Sequence, residues 1–215
     1  ALNQLGNILE GEINASTDNP LVSIDSGEIL SGGNFHGEPL ALSLDQIGIS
    51  FTKLSVMSER RIARMVDKNL SGLPPFLAEN GGLNSGLMIP QYTAASIVSE
   101  NKVLAHPASA DSIPTSANQE DVNSIGSVAG KKGMKIVENT EMVVAIELLT
   151  ALQALDLSLK DHPDRKSSPP LEKLRRQCRE KIPFLKEDCY LQPHLDAALR
   201  LVQEGLSASY PVHRG

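Results

Sequence analysis

Tryptophan is absent from the 215 residues, and the aromatic complement stops at four Phe and three Tyr. A core built from this chain is therefore aliphatic: Leu, Ile, Val, Ala and Met. Only two cysteines are present, Cys178 and Cys189. They form neither a CxxC pair nor a metal-holding spacing, so a reduced, cytosolic setting is the default. Five scattered histidines without an i, i+4 pair give no metal site. An excess of positive charge is missing too. The net charge is −6, which argues against nucleic acid as the main partner. The most apolar stretch, residues 142–157, is interrupted by Glu147, Gln153 and Asp156 and reads as too short and too polar for a membrane span. No GxSxG, P-loop, HExxH or GxGxxG occurs, and no signal-peptide pattern opens the chain.

What is there is helical periodicity. Leu2, Leu5 and Leu9 share one face from the first residues onward, with no N-cap ahead of them. The expectation is a chain that begins inside a helix and belongs to something longer. Ser16-Thr17-Asp18-Asn19-Pro20 stops that helix near residue 15. The apolar runs 21–24 and 28–30 around Asp25-Ser26-Gly27 predict a short hairpin, the only sheet. Pro39 suits the first turn of a long amphipathic helix carrying Leu40, Leu44, Ile47, Phe51, Leu54, Ile62 and Met65, ending near Leu70. A helix over 89–104 follows, then one very long helix over 121–159. The middle of that helix, residues 143–149, is apolar almost all round, which predicts burial on every side by other subunits or by further sequence. A solvated linker at 161–170 precedes two shorter helices at 171–181 and 194–204. The fold class is all-α, a bundle of long helices with one minor hairpin. The division is residues 1–160 for the bundle and 161–215 for a C-terminal helical extension.

Three polar loops rich in Gly or Asn, at 31–38, 80–86 and 111–121, each precede a helix. Loops of this kind build pockets at the ends of helices. In Asn34-Phe35-His36, Phe35 is either a hydrophobic plug and helix staple or an aromatic face for a planar substrate or cofactor. Ser116-Ala117-Asn118-Gln119 has the form of a capping box, with Asp121 adding charge near a helix start. The cluster either caps the long helix or sets Glu120 among amides, poised to hold or deprotonate a substrate.

Taken in order, Thr17-Asp18-Asn19-Pro20-Leu21, Ser31-Gly32-Gly33-Asn34-Phe35-His36-Gly37-Glu38-Pro39, Leu73-Pro74-Pro75-Phe76-Leu77, Gly82-Leu83-Asn84-Ser85-Gly86, Ser99-Glu100-Asn101-Lys102 and Asp111-Ser112-Ile113-Pro114-Thr115-Ser116-Ala117-Asn118-Gln119-Glu120-Asp121 resemble the aromatic amino acid ammonia-lyases, the histidine branch above all. The resemblance runs from residue 1 to about residue 205. It implies a long-helix bundle of the fumarase/aspartase-like type and a homotetramer pooling helices from all subunits, in the cytoplasm. It implies elimination of ammonia from an α-amino acid, L-histidine giving trans-urocanate. The family's electrophile is MIO (4-methylidene-imidazol-5-one), formed from an internal Ala-Ser-Gly. By motif, Phe35 packs near the electrophile and the substrate, and Glu120 meets the substrate side chain. His36, Asn118 and Gln119 are the neighbouring substrate-binding positions.

Two departures stand out. No Ala-Ser-Gly occurs in this chain. It therefore corresponds to the C-terminal part of such an enzyme, inactive alone and partnered by copies of itself or by a complementing N-terminal half. Asp121-Val122-Asn123-Ser124 is similar to phenylalanine and tyrosine lyases and related aminomutases. Those activities are alternatives to histidine turnover, as is a non-catalytic helical assembly subunit.

Overall fold

The computed structural model describes residues 2–205, whose regular structure is seven α-helices and one two-stranded ribbon. Helix α1 (Leu2–Ile13) is followed by strands β1 (Leu21–Val22) and β2 (Ile29–Leu30), paired antiparallel with Leu21 opposite Leu30. Then come α2 (Glu38–Val66), α3 (Lys68–Ser71), α4 (Met88–Leu104), α5 (Gly126–Asp161), α6 (Pro169–Arg179) and α7 (Gln192–Gln203). The all-α class with a minor hairpin holds.

Two helix ends differ from the periodicity. The long second helix stops at Val66, not Leu70, because Asp67 adopts an extended backbone (φ −85, ψ 113) and its carboxylate accepts the Asn69 N–H at 2.8 Å. That caps α3, a separate short turn. The longest helix begins at Gly126, five residues later than the apolar pattern suggests. The Ser116–Gln119 cluster therefore caps nothing in α5.

The described residues form two compact units, one of residues 2–53 with Asn101–Val137, the other of Leu54–Glu100 with residues 138–205. In the first, α2 and α5 approach through small residues. A Cβ on Gly48 would come within 3.1 Å of Ile136 Cδ1, and one on Gly130 within 3.7 Å of Leu44 Cδ1. Ala41 and Ala129 are buried there.

In the second unit the remainder of α5 is the central element. Val143, Ala145, Ile146 and Leu149 have no exposed surface. Ile62 of α2 with Ala94 and Val98 of α4 cover one side, and Val66, Leu77, Leu87, Cys178, Ile182, Ala197, Ala198 and Leu201 cover the other. Each fully buried aliphatic side chain contributes about 1.5–3 kcal/mol. The expectation that other subunits or further sequence must bury this helix is thus corrected: α2, α4, the segment between them and the C-terminal helices of the same chain cover Val143, Ala145, Ile146 and Leu149. Helix α5 is also long and apolar enough to cross a membrane on length and composition, contrary to the sequence reading, but half of that stretch is buried inside the chain.

The three polar interruptions of α5 are internal ties. Glu147 accepts from Ser58 Oγ at 2.5 Å and from the Arg61 guanidinium. Gln153 is buried, donates to Leu185 O at 2.8 Å and accepts the Leu185 N–H at 3.1 Å. Asp156 accepts from Arg175 at 2.6 Å and from Arg179 at 2.7 Å, joining α6 to α5. Buried polar groups persist only when paired in this way.

Candidate functional site

The site is built in the first unit from two loops. The first is the glycine loop before α2. Asn19 Oδ1 accepts from Ser31 Oγ at 3.1 Å and from the Gly32 N–H at 3.2 Å. Asn34 Nδ2 donates to Ser16 O at 3.0 Å. The Thr17-Asp18-Asn19-Pro20 and Ser31-Gly32-Gly33-Asn34 motifs thus brace each other. Gly37 takes φ +75, the left-handed region that favours glycine, and its carbonyl accepts the Ala41 N–H at 3.1 Å as α2 begins. Phe35, held between these fixed points, is 47% exposed. It is not a plug; its ring is left on the wall of an open cavity.

The second loop joins α4 to α5. At its start, Asp45 of α2 accepts the Ser109 N–H at 2.8 Å, and Lys132 Nζ lies 3.7 Å from its other oxygen. Burial pushes the Asp45 carboxyl up, but hydrogen bonds from Ser109 and Ala108 and the Lys132 charge outweigh it and hold the group below the usual carboxylate value. A depressed folded-state pKa gives stability that is complete above the ordinary carboxylate range, about 4, and is lost as pH falls through the lowered value. Exchange of the Ser109 amide, corrected for its intrinsic rate, is therefore expected to accelerate below about pH 4. In Asp45→Asn it is expected to be fast already at neutral pH.

Residues 111–122 are exposed throughout, so packing does not shape this stretch. Ser116, Ala117 and Asn118 all have positive φ, 50, 55 and 69. Left-handed backbone costs L residues about 1–2 kcal/mol each, less for Asn. Backbone bonds close the turn: Thr115 N–H to Glu120 O at 2.9 Å and Glu120 N–H to Thr115 O at 3.3 Å. Asn123 then ties it down. Its Nδ2 donates to Ile113 O at 2.7 Å and lies 3.4 Å from Glu120 O, and its N–H donates to Ser112 Oγ at 2.8 Å.

His36 joins the two loops, with Nε2 2.8 Å from Val122 O. Its Nδ1 lies 3.9 Å from Glu38. Between the loops is a cavity of about 650 Å³ walled by Phe35, His36, Thr115, Glu120, Val122 and Asn123, among others. Three sequence-predicted residues, Phe35, His36 and Glu120, therefore share one cavity. Asn118 and Gln119 are exposed in the turn leading to Glu120 and are not among its walls. Asn123 carries the loop and was not a candidate. The available signal was the Asn123-Ser124 pair just ahead of Ile125-Gly126, the pattern of a helix start that would have placed residues 121–125 outside α5.

An exposed aromatic and a carboxylate share one small-molecule-sized cavity in an all-α chain with no nucleotide or hydrolase motif, a candidate small-molecule site on a helical scaffold. The family model for aromatic amino acid lyase matches residues 1–180, and the chain belongs to that family. It is 50% identical over 205 residues to histidine ammonia-lyase of Caldanaerobacter subterraneus subsp. tengcongensis, covering 95% of this chain and 40% of that protein. The crystal structure of histidine ammonia-lyase from Trypanosoma cruzi superposes with a TM-score of 0.89 at 46% identity, covering 95% of this chain and 40% of that one. Tyrosine aminomutase from Streptomyces globisporus superposes with a TM-score of 0.88 at 33% identity, covering 97% and 39%. The chain thus spans about 40% of the length of the relatives it matches.

Proposed function

We propose that this chain supplies one wall of the active site of an ammonia-lyase that converts L-histidine to trans-urocanate. The observation that carries this reading is the placement of Glu120, Phe35 and His36 on one cavity in a chain half identical to histidine ammonia-lyases. The reaction removes a proton from the β-carbon, breaks the bond from the α-carbon to nitrogen, and forms the double bond as ammonia leaves. Glu120 accepts the imidazole N–H in a charge-assisted hydrogen bond, fixing the ring by a group that neutral amides match less strongly. Phe35 offers a face against which a planar group packs.

The family's MIO group supplies an electrophile when present. It is formed from Ala-Ser-Gly, which this chain does not contain, so its atoms come from elsewhere. The half-exposed ring of Phe35 fits such a planar neighbour. In this reading residues 1–160 belong to the central bundle and 161–215 to a C-terminal extension. Exposed aliphatics such as Leu42, Ile49, Leu54 and Met57 on α2 support burial against a further surface, which this reading assigns to a cytoplasmic tetramer completed by copies of the chain or by an N-terminal half. A second reading, turnover of tyrosine or phenylalanine as lyase or aminomutase, is favoured by the likeness to tyrosine aminomutase and by Asp121-Val122-Asn123-Ser124.

The test is to place this chain in the matching segment of the Caldanaerobacter enzyme and follow urocanate absorbance. The chain alone is expected to give no turnover and the hybrid to turn over histidine. A soluble tetrameric hybrid that acts on tyrosine and not on histidine would overturn the substrate assignment.

A further inference from the structure

We infer that Asn123 is the positioning residue for Glu120, an assignment that rests on the functional reading above. Glu120 has no packing of its own, because every residue from 111 to 122 is exposed. It leaves a turn of three non-glycine residues with positive φ, a conformation that relaxes unless its surroundings hold it. The Thr115–Glu120 backbone pair closes the turn but does not attach it to anything. Attachment comes from one amide. Nδ2 of Asn123 reaches Ile113 O ahead of the turn and Glu120 O behind it, with Thr115 Oγ1 at 3.5 Å, while its own N–H is fixed by Ser112 Oγ. A donor facing three oxygens from both arms of a turn acts as a clasp. Val122, the preceding residue, is fixed through its carbonyl by His36, so the clasp is referenced to the Phe35 loop across the cavity. Asn123 touches the cavity wall but acts through Glu120.

Asn123→Asp keeps the shape and replaces the donor by an acceptor against oxygen atoms. In the lyase carrying this segment, it is expected to lower kcat/KM for histidine roughly tenfold, since one hydrogen-bonded amide donor is lost. With Glu120→Gln already present, the same change is expected to have an effect of under about twofold, because coupled residues are non-additive. The melting temperature is expected to stay within about 2 °C of the parent, as the loop is exposed. Amide exchange at Thr115 and Glu120 is expected to accelerate roughly tenfold, a readout independent of catalysis. Ser112→Ala is expected to reproduce the pattern in weaker form. Equal losses with and without Glu120→Gln, or unchanged exchange at Thr115 and Glu120, would overturn the assignment. If the parent has no lyase activity, the functional reading fails by itself and the exchange measurement still decides the clasp.

Discussion

Glu120→Gln, in the lyase carrying this segment, is expected to lower kcat/KM for histidine by about 10- to 150-fold. The side chain stays isosteric and exposed, so folding is untouched. What changes is the partner offered to an imidazole N–H. A hydrogen bond to a charged acceptor is worth about 1.5–3 kcal/mol, and each 1.36 kcal/mol is a factor of ten in rate. Phenylalanine has no ring N–H to lose, so its turnover is expected to change by less than about threefold. Steady-state assays of the two substrates, with urocanate and cinnamate absorbance as readouts, give the comparison. Equal losses on both would mean that Glu120 serves the reaction without reading the ring, and the preference for histidine would lose its basis.

Gly86→Ala is expected to destabilise the chain by about 3 kcal/mol, lowering Tm by roughly 6–12 °C. Gly86 has φ +54, and a Cβ there would lie 2.5 Å from Phe76 O and 3.0 Å from Ala78 Cβ. Neither neighbour is free to give. Phe76 O already accepts the Leu87 N–H at 2.9 Å, and Phe76 and Leu77 have positive φ of 53 and 59 themselves. On the other side, Asp188 grips the Ser85 and Gly86 N–H groups at 2.7 and 2.8 Å. Gly82→Ala separates the two causes: its φ is +92, yet a Cβ would meet nothing within 4 Å. Calorimetry should place Gly82→Ala at about 1 kcal/mol. Equal losses for the two variants would remove the steric argument.

The helices were legible because aliphatic residues recur at three and four, and Pro and Gly punctuate them. Their boundaries failed where a side chain, not a pattern, decides. Asp67 ends α2 by capping its neighbour, although apolar spacing continues through Leu70. The stretch 121–125 is held out of α5 by Asn123, whose partners lie up to eleven residues upstream. The site was legible in part. Phe35 and Glu120 were visible only through resemblance, since spacing alone allowed a staple and a cap. Asp45 and Asp188 were invisible: their carboxylates bind backbone amides 64 and 103 residues away, and backbone amides carry no signature in the sequence. Burial of α5 was misjudged for a related reason. The residues that cover it, such as Cys178, Ile182 and Ala198, come from short segments whose own apolar signal is weak.

The grip of Asp188 on Ser85 and Gly86 also sets an order in time. The two ends are 102 to 103 residues apart in sequence. A ribosome adding about 5–20 residues per second delivers Asp188 roughly 5–20 s after Gly86 has emerged. Through that interval the turn between Phe76 and Gly86 must wait with its amides in water, long after α2 and α4 could have coiled. A segment made 102 to 103 residues later closes this turn, so a chain stalled before Asp188 lacks that lock.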